Sequence, residues 1–260
     1  MEEEKLPITS HLEEMRWRLI KCVIAVGVGF LASYAFSKQI FDFLVSPLVK
    51  VMPPDGQLIY TSLPEAFLTY LKVSFFAGLV LATPVIIYQI WKFVMPGLYE
   101  NERRYVAPFV VVATIFFLIG ASFAFYVVFP LGFQFFLGFS TDRISALPSM
   151  REYLGFAMRL LLAFGITFEL PVVMFFLAKM GLVHPSTLRR QRKYALLVVA
   201  LGAAILTPPD VLSMILLGIP LFCLYEISIW VTHFVRKKES METADVEAEA
   251  SDPESKNQAG

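Results

Sequence analysis

The sequence is short of charge and of the residues that build metal and covalent chemistry. Of its 260 residues 17% are charged, 22 Lys and Arg balance 22 Asp and Glu, and there are only 3 His and 2 Cys. A zero net charge gives no electrostatic case for nucleic acid, whose binding starts from a basic surface. Cys22 and Cys223 both fall inside apolar stretches, which provides neither a disulfide framework nor the paired spacing of a zinc site. They read as small buried hydrophobes. His11, His184 and His233 lie far apart at the edges of apolar runs, so local spacing supports no metal site. There is no Walker phosphate loop, no H-E-x-x-H, no G-x-S-x-G and no evident nucleophile and base pair. Neither an enzyme nor a cofactor is expected. An internal repeat, the mark of many transporters, is also missing.

What is present is apolar: 57% of residues are hydrophobic and 25 are Phe, a balance far from that of an ordinary soluble domain. A transmembrane helix needs roughly 17–25 mostly apolar residues. Runs of that kind occupy 19–36, 67–95, 106–138, 153–178 and 211–235, and a shorter one occupies 195–206. The short run, about 12 residues, would be a buried segment if it stood alone. Thr207-Pro208-Pro209-Asp210 makes a tight turn into the last run, so the two read as a helical hairpin. Local bilayer thinning beside a short helix costs only fractions of a kcal/mol per ångström.

The expectation is an all-α membrane protein with six transmembrane helices in one domain, 1–238, followed by an acidic tail, 239–260. That tail lacks apolar periodicity and is expected to be disordered. The first run does not read as a signal peptide, because Glu2, Glu3, Glu4, Glu13 and Glu14 precede it in place of a basic segment. Between runs one and two, Ile40, Phe41, Phe43 and Leu44 read as a short interfacial helix, and Pro53-Pro54, Asp55-Gly56 and Pro64 as turns.

Cations near span ends are retained on the cytoplasmic side. Lys5, Arg16, Arg18 and Lys21, then Lys92, Arg103 and Arg104, then Lys179, Arg189, Arg190, Arg192 and Lys193, then Arg236, Lys237 and Lys238 fall on one face. The other face carries Lys38, Lys50, Arg143 and Arg151. Six spans with both termini cytoplasmic satisfy this pattern.

Glu169 stands inside the fourth run, in Phe164-Gly165-Ile166-Thr167-Phe168-Glu169-Leu170-Pro171. An acidic side chain at a helix centre costs about 2.5–3.5 kcal/mol on insertion scales, so it should pair, face a cavity or be protonated. Arg159 is ten residues away, about 15 Å along the axis, too far to pair directly. Pro171 removes a backbone donor and should bend the helix, leaving a polar, concave pocket. Two readings stay open for Glu169, an interhelical hydrogen bond that fixes packing and a functional polar site. Lys72 and Pro84 repeat the pattern in span two, where Lys72 reads as snorkelling to the interface.

Further carboxylates lie outside the spans. Ser10-His11-Leu12-Glu13 fits a capping box, which occupies Glu13. Leu12, Met15 and Leu19 share one face at helical spacing, suited to the membrane surface. Glu14 can pair with Arg18 at i, i+4. In the loop before span three Asn101 fits an N-cap and Glu102 the first turn, where the helix dipole favours an anion. Exposed carboxylates amid so many cations are also what a receptor for a cationic peptide would present.

With Ser10-His11-Leu12-Glu13-Glu14-Met15-Arg16-Trp17-Arg18-Leu19, Ala82-Thr83-Pro84-Val85, Tyr99-Glu100-Asn101-Glu102-Arg103-Arg104, Phe129-Pro130-Leu131, Phe164 to Val172 and Leu206-Thr207-Pro208-Pro209-Asp210-Val211 in this order, the chain resembles the TatC family, the multispanning component of the twin-arginine protein translocase. The resemblance runs nearly end to end and omits only the acidic tail. It implies a receptor and assembly scaffold in the bacterial inner membrane, exporting folded proteins on the proton motive force. Signal-peptide binding would fall on Glu14 and Glu102, with Arg16 and Leu19 beside them, and Glu169 would be the intramembrane polar site that meets a partner. Pro84, Pro171, Pro208, Pro209 and Asp210 would shape the scaffold. The implied partners are TatA-type and TatB-type single-span subunits, twin-arginine signal peptides of folded cargo, the lipid bilayer and further copies of the chain. A rival from another class is a proton-coupled small-solute carrier with Glu169 as its coupling site.

Overall fold

A computed structural model of the chain describes residues 8–53, 56–94, 106–139, 147–206 and 211–251. Within hydrocarbon the backbone must satisfy its own N–H and C=O groups, and a helix does so within one segment. Among the described residues the chain is accordingly helical except for short connections and one isolated bridge. The helices are α1 (Ile8–Tyr34), α2 (Ser37–Val51), α3 (Glu65–Val94), α4 (Val106–Phe123), α5 (Phe129–Leu137), α6 (Met150–Phe168), α7 (Leu170–Lys179), α8 (Pro185–Arg190), α9 (Arg192–Leu206) and α10 (Val211–Ser251). Among the described residues five stretches are long and apolar enough to cross a membrane: Leu12–Tyr34, Glu65–Phe93, Ala107–Leu137, Met150–Lys179 and Leu217–Val235. The short sixth is α9, whose 15 residues would span about 22 Å at 1.5 Å per residue.

Two spans are composite. A π-turn over Ala124–Val128 joins α4 to α5, and the Phe129 amide bonds back to the Ala124 carbonyl. Pro130 follows at once; it has no N–H to give the preceding turn and its ring would crowd that turn's carbonyl, so the widened turn accommodates it. The fourth span breaks at Glu169 between α6 and α7, with Pro171 in the first turn of α7, where a missing donor costs nothing. By contrast α3 runs helical through Pro84, so the bend expected there does not interrupt the helix.

In lipid, helices associate by close packing rather than by escape from water, and small residues permit the approach. A Cβ on Gly29 of α1 would stand 2.6 Å from the Gly78 carbonyl oxygen of α3. The α4–α6 contact is as tight: a Cβ on Gly120 would lie 2.6 Å from the Phe164 carbonyl oxygen, and one on Gly165 2.6 Å from the Phe117 ring.

The expected interfacial helix, α2, is more deeply placed than a surface helix. Its Phe41, Leu44, Val45, Pro47 and Leu48 are buried, the Tyr153 hydroxyl donates to the Leu44 carbonyl at 2.7 Å, and Phe43 stacks on Phe125 with ring centroids 4.5 Å apart. The chain then passes through Ile59, which forms a parallel bridge with Ser149: its amide donates to the Pro148 carbonyl at 3.1 Å and its carbonyl accepts the Met150 amide at 2.8 Å.

Two local expectations change. Helix α1 begins at Ile8, so Ser10 lies in its first turn and not at the N-cap. Helix α10 continues to Ser251, into the stretch expected to be disordered. Extending an existing helix needs no new nucleus, and the residues past 235 are rich in Ala, Glu and Lys, good helix formers without an apolar face.

Candidate functional site

Two places in the bundle hold carboxylates singled out in the sequence. The first is the N-terminal turns of α1. Glu13 is exposed, whereas the Glu14 side chain is 38% exposed and is bonded to the guanidinium of Arg18, itself 12% exposed. Arg18 donates through Nε at 3.1 Å and through a second guanidinium nitrogen to the same Glu14 oxygen. One helical turn brings the two together, as the i, i+4 spacing predicts. Arg16 is exposed, and Leu12, Met15 and Leu19 form an exposed apolar face, with Leu19 63% exposed. The α1 start thus presents a half-buried carboxylate on one side and an apolar stripe on another. Glu102 lies outside the described residues, in the connection from α3 to α4, as does Asn101. Helix α3, which leads into that connection, packs against α1.

The second place is the break in the fourth span. Glu169 has left the α6 helix; its amide donates to the Ile166 carbonyl at 3.1 Å and its carbonyl accepts the Val173 amide at 2.8 Å, so its backbone joins the two helices. Its Oε1 is buried with no hydrogen-bond partner among the described residues. A polar atom in that state costs about 1–3 kcal/mol, so it needs a proton, a water or a partner from another chain. The pocket beside Pro171 differs from the polar one expected. It is an apolar groove of about 520 Å³ between α4, α7 and α10, lined by Phe109, Phe116, Pro171 and Phe176, with Lys179 as its charged residue, and Glu169 is not in its wall. Just before the break the Thr167 hydroxyl donates back to the Ala163 carbonyl of its own helix at 2.7 Å.

Arg159 is exposed and donates to its own helix at the Gly155 carbonyl, 3.0 Å, apart from Glu169 as the spacing requires. Lys72 is exposed on α3. Pro208, Pro209 and Asp210 lie outside the described residues; α9 and α10 on either side of them pack together as a hairpin.

One polar centre was not anticipated. Glu65, 4% exposed at the start of α3, accepts hydrogen bonds from the Thr61 amide at 2.8 Å, the Thr61 hydroxyl at 3.0 Å and the Ser62 amide at 3.3 Å. It also accepts from the Ser149 hydroxyl at 3.1 Å and the Arg151 amide at 3.2 Å. Every contact is a donor to an acceptor-only group, as suits an ionised carboxylate. Glu65 ties the loop before α3 to the start of α6. The near half of this cluster was readable as a polar residue at a helix start; the far half was not.

Comparison with known proteins places this geometry in a family. Residues 10–220 match the family model described as Sec-independent protein translocase protein (TatC). The chain is 53% identical over 256 residues to a Sec-independent protein translocase protein TatC of Desulforapulum autotrophicum, covering 96% of this chain and 95% of that one. Against the Escherichia coli K12 protein of the same name the identity is 40% over 232 residues, covering 89% and 90%. A crystal structure of a twin-arginine translocase receptor, TatC, superposes with TM-score 0.79 at 37% identity, covering 87% of this chain and 99% of that one.

Proposed function

The chain belongs to the TatC family and is a multipass membrane component of the twin-arginine translocase; from that premise we propose that it is the translocase's receptor for twin-arginine signal peptides. Glu14 and Glu102 read the two arginines. Arg16 and Leu19 flank them, with the exposed Leu12, Met15 and Leu19 stripe meeting apolar signal-peptide residues. The observation that carries this reading is Glu14 itself, a half-exposed carboxylate that already accepts two donors of one guanidinium. A signal-peptide arginine offers the same planar fork and can replace Arg18, whereas lysine lacks the fork.

Both termini, in this reading, lie in the cytoplasm and the membrane is the bacterial inner membrane, as the cations at the span ends support. TatA-type and TatB-type subunits pack against spans five and six, and a polar group of one of them satisfies Glu169 Oε1. The chain works by binding and assembly, self-associates, and leaves the energy to the proton motive force. A solute carrier would move solute alone; family membership favours the translocase, and purified protein in liposomes should move none.

Site-specific crosslinking from positions 14 and 102 to a twin-arginine peptide tests the reading. Losing one charge-assisted pair, about 3 kcal/mol, weakens capture roughly a hundredfold. Glu102→Lys should therefore abolish crosslinking while the protein stays inserted and folded. Unchanged crosslinking would remove Glu102 from the site.

A further inference from the structure

The residue bonded to Glu14 stands in an uncommon place for a cation. On α1 a row of partly or fully buried positions runs through Glu14, Arg18, Cys22, Ala25, Gly29 and Ser33, a spacing of three and four that makes one face of a helix. Gly29 on that row meets Gly78 of α3, so this is the face that α1 turns toward α3. Arg18 therefore stands among packed positions, with 12% of its side chain exposed, while Trp17 and Leu19 on either side are 57% and 63% exposed. Among the described residues its polar contacts go to Glu14. A half-buried cation needs a counter-charge, and the one within reach is the carboxylate assigned to the signal peptide.

The geometry of the pair sets its strength. Arg18 donates through Nε and a second guanidinium nitrogen, and both bonds fall on one oxygen, Glu14 Oε1. The strongest guanidinium–carboxylate arrangement sets two nitrogens against two oxygens in parallel. Reaching from the next turn of the same helix, Arg18 does not make that arrangement, whereas an arginine arriving from another chain is free to adopt it. Arg18 is thus a weaker ligand of the same chemical class as the peptide's own.

We infer that Arg18 is a built-in competitor: it holds Glu14 in the empty receptor, and a signal-peptide arginine binds by exchange with it. The inference rests on the assignment of Glu14 to the signal peptide. Under exchange the carboxylate keeps a guanidinium between binding events, and the peptide gains only the difference between its own bond and the one it breaks. Capture is weakened to that extent, and the peptide leaves faster. The displaced guanidinium has a solvated end state, because its aliphatic stem lets the head snorkel to the membrane surface. An i, i+4 pair of this exposure is worth less than about a tenfold change in affinity, and about threefold is expected.

The test is binding of a labelled synthetic twin-arginine signal peptide to the full-length chain in nanodiscs, read by fluorescence anisotropy. Arg18→Gln should bind about threefold tighter than the unsubstituted chain. In a Glu14→Gln background, read at higher peptide concentration, the same substitution should change nothing, because no carboxylate is left to release. Lys21→Gln removes a cation from the same helix, at an exposed position with no ion pair among the described residues, and should leave the affinity within about 1.5-fold. Thermal unfolding shows which variants are folded. Where Arg18→Gln is not, Arg18→Lys carries the test, with a gain of about twofold expected because lysine lacks the fork. Weaker or unchanged binding by the Arg18 variant would make Arg18 a support of the site and overturn the proposal. So would a gain that Lys21→Gln matches or that persists without Glu14, since either reports bulk charge. Unchanged binding by Glu14→Gln alone would instead remove Glu14 from the receptor site, a failure distinct from that of Arg18.

Discussion

At the scale of single residues, Glu65 and Glu169 show that burial alone does not define a functional carboxylate. Glu65 has five donors and Glu169 has an oxygen with none. Removing Glu65 strands donors from two loops at once, so Glu65→Ala should lower stability in detergent by about 2–3 kcal/mol and open the loop before α3 to protease. Removing Glu169 gives up one backbone contact, at Phe117, and leaves no partner of Oε1 unpaired among the described residues. Glu169→Leu should leave the unfolding temperature unchanged or raised and still permit signal-peptide crosslinking, while export of folded cargo falls. Equal loss of stability and export would reduce Glu169 to packing. Glu169 was legible in the sequence because a charge in an apolar run is conspicuous. Glu65 was not, because two of its donors come from residues 84 and 86 positions away, a pairing no local pattern encodes.

Between elements, the tight crossings and the braces differ in how much they hold. Gly27 and Gly29 share α1, yet a Cβ at Gly27 meets nothing within 4 Å and one at Gly29 meets the α3 backbone. Gly29→Leu should cost about 3 kcal/mol or prevent assembly, whereas Gly27→Leu should stay within about 0.5 kcal/mol, as thermal unfolding of the purified variants would read. Two polar contacts among the described residues attach the α8–α9 corner to α10. The Arg192–Glu226 pair is 49% and 28% exposed, so Arg192→Ala should cost less than about 1 kcal/mol. The Tyr225 bond to the Leu188 carbonyl is buried, so Tyr225→Phe should cost about 1.5 kcal/mol by the same measurement. The apolar runs were visible along the sequence, but the π-turn before Pro130 and the seating of α2 arose from packing: Phe43 stacks on Phe125, and Tyr153 of α6 donates to the Leu44 carbonyl of α2.

Across the whole molecule, the six-span receptor reading places residues 12 and 235 on one side of the membrane and residue 56 on the other, which labelling tests. Cysteines introduced in a background lacking Cys22 and Cys223, one near residue 12 and one near 235, should react with an impermeant reagent only from the cytoplasmic side, and one at Gly56 only from the other. Labelling of residues 12 and 235 from opposite sides would reject the six-span topology and the shared receptor face. Apolar run lengths, the cations at their ends and the lone Glu169 were enough to establish a helical membrane protein, its number of crossings and one polar point within it, because partition between water and hydrocarbon acts on each segment separately. That Glu14 is paired with Arg18, that Glu65 joins two distant loops, that the Pro171 groove is apolar and that Arg190 and Lys193 make no ion pair among the described residues were decided only in the tertiary structure. Those properties depend on what a neighbouring helix presents at the same depth, and hydropathy along one segment carries no record of its neighbour.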